Sequence, residues 1–565
     1  MSAVSIPAGT LPGDYVSGAE LSVLPLGGAG EIGMNLTLYG CDGTWLMVDL
    51  GITFGDDTTP GVDVLMPDPA FIVAQRDRLA GLVLTHAHED HLGAVPYLWS
   101  RLNCPVYATP FAAAMLRRKL AEAGLLDEVP LYEIPLSGGM DIGPFRLSFI
   151  TLTHSIPEPN ALAIETPYGR VLHTGDWKLD PDPLVGKATD EKALSDLGRA
   201  GVLAMVCDST NALRPGEAGS EADVRDSLRK IIADAGAARV VATCFASNLA
   251  RLLSLARIGR ECGRDVGLVG RSLWRIVEIA RETGYLPDDI TFVSERDIGL
   301  VPDEHAMIIC TGCQGEPRSA LYRMATDAHP RARIHPGDLV IFSSRIIPGN
   351  EKPIGRLQSL IRRQGARVLT EKDGFIHVSG HPAEDELARM YGWVKPAIAV
   401  PVHGEWRHLR RHAELARNWG AREAFEVENG DVLRLAPGPA AVVAQVPAGR
   451  LCLDGARVVP FGGKVVRDRQ KLLFNGAAVA TIVLGADRML AAPLQLSLQG
   501  VLEEEAWDSA REAAETAVKA ALEATVREGD DVRREAARRA IRRSLFQATG
   551  RKPMTDIHLL HLPNA

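Results

Sequence analysis

The densest chemistry in the chain lies at residues 82–95, LVLTHAHEDHLGAV. Three of the 15 histidines and two carboxylates fall within six positions, directly after an apolar run. In an extended loop His86 and His88, two residues apart, point to the same side. Asp90 and His91 then open a helical turn and face a neighbouring point. Imidazole and carboxylate suit zinc, manganese or iron. The spacing therefore predicts one cation held by His86 and His88 and a second held by Asp90 and His91. The plain alternative is a polar loop of solvated histidines, for which the cluster is too dense. Glu89 has no assigned task and reads as a solvent-facing or supporting acid.

Two ions need further ligands, and these should come from other strand ends. His154 in LTHSIPE and Asp176 in LHTGDWK both follow apolar runs that read as strands. A carboxylate placed between two ions can bridge them, which is the task expected of Asp176. His173 lies inside its strand and faces away from Asp176 by parity, so it reads as structural.

Two other motifs carry less. Gly28-Ala-Gly30-Glu-Ile-Gly33 matches a dinucleotide fingerprint, but MNLTLYG follows as a strand where a helix is required. It reads as a Gly-rich turn. Cys310-Thr-Gly-Cys313 has no second pair to complete a zinc ribbon and no following helix to make a redox motif.

These residues need a scaffold. The chain has 565 residues, 46% apolar and 24% charged, which is the profile of several globular domains. Its formal charge of -9 excludes a globally basic nucleic-acid coat. Eight scattered cysteines suggest a reducing compartment. The start, MSAVSIPAGTLPGDYVSG, lacks a basic segment and an apolar stretch, so it does not read as a signal peptide. No apolar run is long enough to cross a membrane. The expectation is a cytoplasmic protein with no membrane partner.

Short strands dominate residues 20–50 and 71–210, with a helix over 110–124. From about 220 to 380, strands such as RVVATCF and DVGLVG alternate with helical stretches, the rhythm of a parallel sheet. Residues 383–400 read as a helix and a strand. A stretch rich in Pro, Gly, Ala and Val follows at 435–470, and 451–469 is expected to be a linker. Beyond it, LFNGAAVATIVLG and LAAPLQLSLQG read as strands, followed by two helices and a last strand.

The order HxHxDH, lone His, lone Asp resembles the metallo-β-lactamase superfamily. Asp49, closing LMVDLG, is similar to its first acidic motif, which orders the histidine loop and does not bind metal. Asp208 in VCDSTNA, His381 in HVSGH and His403 in VPVHGE resemble motifs A, B and C of the nuclease branch with a β-CASP insertion. With PLGGAGEIGMN, HTGDWKLD, FASN, TGCQGEP and FSSRIIPGNE, the chain resembles the ribonuclease J family from residue 23 to about 410. Departures are Cys313 and Pro159, each at or near a usual Ser, and Ala250 where a His often stands.

The resemblance implies an α/β architecture: a metallo-β-lactamase αββα sandwich with an inserted β-CASP α/β domain and a small C-terminal α/β domain. The expected bounds are 1–220 and 382–450 for the sandwich, 221–381 for the insertion and 470–565 for the terminal domain. Two divalent ions are implied, zinc first, with manganese or magnesium as alternatives. His86, His88 and His154 would take one ion, Asp90, His91 and His403 the other, and Asp176 both. His381 would be the general acid, oriented by Asp208. Ser247, Asn248, His377, Ser379 and Gly380 are similar to a pocket for a 5′-monophosphate.

The expected activity is 5′→3′ exonuclease action on RNA, with internal cutting as an alternative. RNA is the expected partner, with a homodimer or homotetramer formed through the C-terminal domain. Residues 211–380 hold 24 basic and 21 acidic side chains, a balance of +3 that leaves -12 on the rest. Arg362, Arg363, Arg367 and Lys372 form a basic run there, and Arg533, Arg534, Arg538, Arg539, Arg542 and Arg543 another. Two other readings stand beside the nuclease. A small-substrate metallohydrolase would need neither the insertion nor His381, and an RNA-binding scaffold would not need every ligand intact.

Overall fold

In the computed structural model the described residues are Tyr15, 18–55 and 59–562. The chain divides into two compact units, Met1–Thr53 with Leu65–Leu451, and Phe54–Val64 with Cys452–Ala565.

The first unit is built on two large sheets. An eight-stranded sheet runs through Leu21–Gly27, Leu36–Cys41, Thr44–Val48 and Leu79–Val83. A seven-stranded sheet runs through Phe145–Thr151, Asn160–Thr166, Gly169–His173, Ala204–Asp208 and Ile398–Val402. Their inner faces share one core, in which Leu46, Val83, Phe149, Leu162, Val206 and Val400 are all buried. Strand Phe145–Thr151 shows why: alternate side chains are exposed along its first residues, so only one face enters that core. The outer face of the second sheet is covered by helices Glu191–Ala200, Glu384–Val394 and Trp406–Asn418, through Leu194, Leu387 and Ala416. This is the expected αββα sandwich. Each fully buried aliphatic side chain contributes about 1.5–3 kcal/mol.

The inserted segment forms a five-stranded parallel sheet in the order Asp265–Val269, Ala306–Cys310, Val240–Thr243, Leu339–Phe342, Arg367–Leu369. Its central strands are buried on both faces, as βαβ crossovers require.

The second unit contains a three-stranded sheet, Gln495–Gln499, Ala477–Leu484, Met554–His561. Helices Trp507–Ala524 and Asp530–Thr549 cover one face through Ala514, Val518, Ala537 and Ile541. The stretch 451–469, expected as a linker, is ordered structure. Strands Arg450–Asp454 and Arg457–Pro460 flank a Gly455-Ala456 turn, and helix Lys464–Asn475 follows. Leu451 and Cys452 are buried, and Gly455 at the first turn position (φ 62) is a hairpin signal that the Pro and Gly content obscured. The same helix takes up the Leu473-Phe474-Asn475 stretch that read as the start of a strand.

Candidate metal centre

The histidine loop forms because Leu79–Val83 ends at the sheet edge and a four-residue helix, Glu89–Leu92, begins with His88 as its N-cap. The turn is held from below. Ile52 N donates to Glu89 O at 3.0 Å, and Leu50 N to His91 O at 2.7 Å. Gly51 lets the chain pass: a Cβ there would sit 1.6 Å from Asp90 O.

Three groups of ligand atoms converge. The first is His86, His88, His154 and Asp176, the second Asp90, His91, Asp176 and His403, and the third Asp176, Asp208, His381 and His403. Asp176 belongs to all three. Within the first group His88 Nδ1 lies 3.1 Å from His86 Nε2 and 3.0 Å from His154 Nε2. A tetrahedral ion with nitrogens at about 2.0–2.1 Å spaces them about 3.3 Å apart. Burial and the neighbouring imidazoles hold His86 and His154 well below the ordinary histidine range, and burial brings His88 to about 4. All three present the neutral form that ligates metal.

The second group is acidic. Asp176 Oδ2 lies 3.1 Å from His91 Nε2, and Asp90 Oδ2 lies 3.3 Å from His403 Nε2. Burial works against charge on His91, and Asp176, Asp49 and Asp90 outweigh it. Burial likewise opposes charge on His403, and Asp176 outweighs it. The carboxylates make this second group a place for positive charge, which an ion would supply. His403 Nε2 is buried, and Asp90 is the carboxylate it faces. The donor set fits two divalent ions.

Supporting contacts fix the ligands. Asp49 Oδ2 lies 2.7 Å from His91 Nδ1, and Asp49 also accepts from Thr85 N and Oγ1, each at 2.8 Å. Asp49 (φ 63) and His403 (φ 52) both adopt the left-handed region, a strain kept at sites that fix side-chain direction. His403 N donates to Gly28 O at 2.6 Å. Ala29 and Gly30 pair in parallel with Gly404 and Glu405, so the Gly-rich turn docks the loop that carries His403. His173 is buried with Nδ1 2.9 Å from Tyr39 Oη, a structural place as expected. Glu89 pairs with Lys119 at 2.6 Å.

His381 Nδ1 lies 2.8 Å from Asp208 Oδ2, while Asp208 Oδ1 accepts from Thr210 N and Oγ1. Burial opposes charge on His381, and Asp208, then Asp176, raise its pKa overall.

The expected phosphate-pocket residues are largely engaged inside the protein. Asn248 caps helix Leu249–Glu261 by accepting from Arg251 N at 2.9 Å. Ser379 Oγ accepts from Asn211 Nδ2 and from His381 N. Gly380 turns its carbonyl to His154 Nδ1 at 2.5 Å. His377 Nδ1 is buried without a partner, and Ser247 is half-buried. Cys310 and Cys313 are buried, and burial pushes both thiols up, Cys313 to about 12, so no reactive pair exists there.

Several contributors escaped the sequence reading. Asn35 Nδ2 donates to Asp90 O at 3.0 Å and lies 3.1 Å from His91 Nε2. It lies in the GGAGEIGMN stretch, which signals only a turn. Asn211 acts through its side-chain amide, and Gly51 and the Gly380 carbonyl through the backbone, in contacts that no local pattern marks.

Fold and site together define a metallo-β-lactamase superfamily hydrolase carrying a β-CASP insertion. The profile described as "Metallo-beta-lactamase superfamily" matches residues 32–242, and "Ribonuclease J, beta-CASP domain" matches 237–361. "Zn-dependent metallo-hydrolase RNA specificity domain" matches 365–428 and "Ribonuclease J C-terminal domain" matches 464–560. The chain is 43% identical to Ribonuclease J of Sinorhizobium meliloti, over 97% of this chain and 98% of that one. It is 38% identical to Ribonuclease J 1 of Streptococcus pyogenes, over 87% and 89%. It is 36% identical to Ribonuclease J of Mycobacterium tuberculosis, over 96% and 97%. A solved protein of unknown function from Enterococcus faecalis V583 shares the fold, with TM-score 0.50 at 15% identity, covering 74% of this chain and all of that one. The chain belongs to the ribonuclease J family, whose members are metal-binding nucleases that take RNA as substrate. Among the described residues no helix is long and apolar enough to cross a membrane.

Proposed function

We propose that the chain is a 5′→3′ exoribonuclease that hydrolyses RNA from 5′-monophosphate ends by a two-metal mechanism, with zinc as the resident ion. The observation that carries this reading is the Asp208–His381 pair beside Asp176 and His403. A small-substrate hydrolase of this superfamily has no use for an imidazole held by its own carboxylate at the edge of the ion site.

His86, His88 and His154 would hold one ion, Asp90, His91 and His403 the other, with Asp176 shared. Such ions, when bound, lower the pKa of a water and neutralise charge developing at phosphorus. The chain's own residues do the rest. Asp49 keeps the His91 proton on Nδ1, which leaves Nε2 free to ligate. The Gly380 carbonyl does the same for His154. His381 delivers a proton to the leaving 3′-oxygen, and Asp208 favours the protonated ring. His377, with Ser247 and Asn248, lines the pocket for the terminal phosphate, and its unpartnered, buried Nδ1 supports this. Ser379 and Gly380 shape that pocket through the loop they form.

We place the protein in the cytoplasm, where its eight free cysteines stay reduced. We also assign self-association to the C-terminal domain. Its three-stranded sheet leaves Val479 and Leu560 exposed on the face opposite its helices.

The test is one RNA labelled at its 3′ end, carrying either a 5′-monophosphate or a 5′-triphosphate, with Zn²⁺, Mn²⁺ or Mg²⁺. The monophosphate form should be degraded to mononucleotides and the triphosphate form should lag. Internal fragments without mononucleotides would replace the exonuclease reading with an endonuclease one.

A further inference from the structure

Two prominent stretches, TGCQGEP at 311–317 and FSSRIIPGNE at 342–351, supply no ligand and no acid to the site described above. They meet each other. Gln314 is buried, and its Nε2 donates to Arg345 O at 2.8 Å. Its Oε1 accepts from Ile347 N at 2.9 Å and from Asn350 Nδ2 at 3.2 Å. One side chain therefore clamps the 345–350 loop on both sides of Ile346. Ser343, just before the loop, is held through its carbonyl and hydroxyl by the fully buried Arg251.

The clamped loop presents Arg345, whose side chain is exposed. Its Nη1 donates to Asn211 Oδ1 at 3.0 Å. Asn211 is buried, and its Nδ2 donates to Ser379 Oγ at 2.8 Å and to His381 O at 3.0 Å. The amide orientation follows from its partners, a guanidinium donor on one side and a carbonyl acceptor on the other. Among the described residues no carboxylate forms an ion pair with Arg345. A rigidly presented guanidinium with most of its five donors free, beside the group assigned as general acid, is built for an anion.

We propose that Arg345 grips an internal phosphodiester of the RNA strand next to the cleaved bond, and that Gln314 and Asn211 position it. The proposal rests on the RNA-hydrolysing reading and adds a residue to it. Asn211 ties the grip to the loop that carries His381, so strand register and acid are set together. The bound chemistry is a non-bridging phosphate pair, and the guanidinium reads no base.

The experiment measures binding of a fluorescent 5′-hydroxyl oligoribonucleotide by anisotropy across a KCl series, in EDTA so that no strand is cut. Full-length wild type, Arg345→Met and Arg345→Lys are compared. Losing one phosphate contact to a single strand lowers the slope of log Kd against log salt by about 0.7. Arg345→Met should show that loss with about tenfold weaker binding, and Arg345→Lys should keep the slope. Gln314→Leu should behave as a partial Arg345→Met. An unchanged slope in Arg345→Met, with wild type binding normally, overturns the role of Arg345 alone. A loss seen only with 5′-monophosphate RNA overturns the internal assignment in favour of the terminal phosphate. Wild type that binds no RNA overturns the functional reading itself. Arg345→Lys guards against misfolding, and equal melting of the variants checks it.

Discussion

The Gly380 carbonyl accepts a hydrogen bond from His154 Nδ1 at 2.5 Å, across 226 positions of sequence. One peptide thus joins the loop bearing His381 to a residue assigned to the first ion. A Cβ at residue 380 would lie 2.7 Å from His154 Cε1 and 3.0 Å from Nδ1. Gly380→Ala should push the imidazole off its ion. Loss of such an orienting contact typically weakens metal affinity about 10–100-fold. Titration against a chromophoric chelator should show one weakened site and one unchanged.

The second ion should depend on Asp49 in the same way. Asp49→Asn keeps the size and tolerates the left-handed backbone, so the fold should survive. The amide can no longer anchor His91 as a carboxylate does. Metal content by mass spectrometry should fall below two ions per chain, with about 10–100-fold less activity at limiting metal. Two ions retained with full activity would remove Asp49 from the support of the site.

How much of this was legible in sequence depends on where each contact lives. His86, His88, Asp90 and His91 declared themselves because four candidate ligands of two types sit within six residues. Asp176 and His154 needed only the rule that such ligands end strands. Resemblance brought in Asp208, His381 and His403, whose types are chemical but whose spacing says nothing. Asn35, Asn211, Gln314 and the Gly380 carbonyl stayed hidden. Each acts through a contact made only when distant segments pack, and Asn and Gly read locally as turn formers. Residues 451–469 misled for the opposite reason, since composition there outweighed one glycine turn signal at Gly455.

Lys178 and Asp180 form a buried pair at 2.8 Å, with Lys178 Nζ also on Gly219 O at 3.1 Å. Asp180 accepts from Ser220 Oγ and Glu221 N, where helix Glu221–Ala233 begins. Lys178→Met would leave a buried carboxylate unpaired, at a cost of about 3–5 kcal/mol. Urea unfolding should show an earlier first transition. Burial raises the Asp180 pKa, and Lys178 more than offsets that, so it is depressed in the fold. A depressed carboxyl stabilises the fold above its unfolded value of about 4 and loses that contribution as pH falls. Wild type and variant should therefore converge in acid and diverge near neutrality.

The Asp208–His381 pair makes a prediction about pH. A general acid works only while protonated, so activity falls as pH rises through its pKa. Burial opposes the proton on His381, and Asp208 and Asp176 hold it there. Asp208→Asn removes the carboxylate 2.8 Å from Nδ1, which lowers the His381 pKa. The descending limb of log kcat against pH should move to lower pH, with activity at neutral pH reduced. His381→Ala should lower kcat about 10²–10⁴-fold and abolish that limb. A leaving group that needs no proton, such as p-nitrophenolate from a thymidine 5′-ester, should be spared much of the loss. If His381→Ala retains the limb, or loses both substrates equally, His381 supports the ions and is not the acid. In that case Asp208 would act only by holding Thr210 and the loop around it.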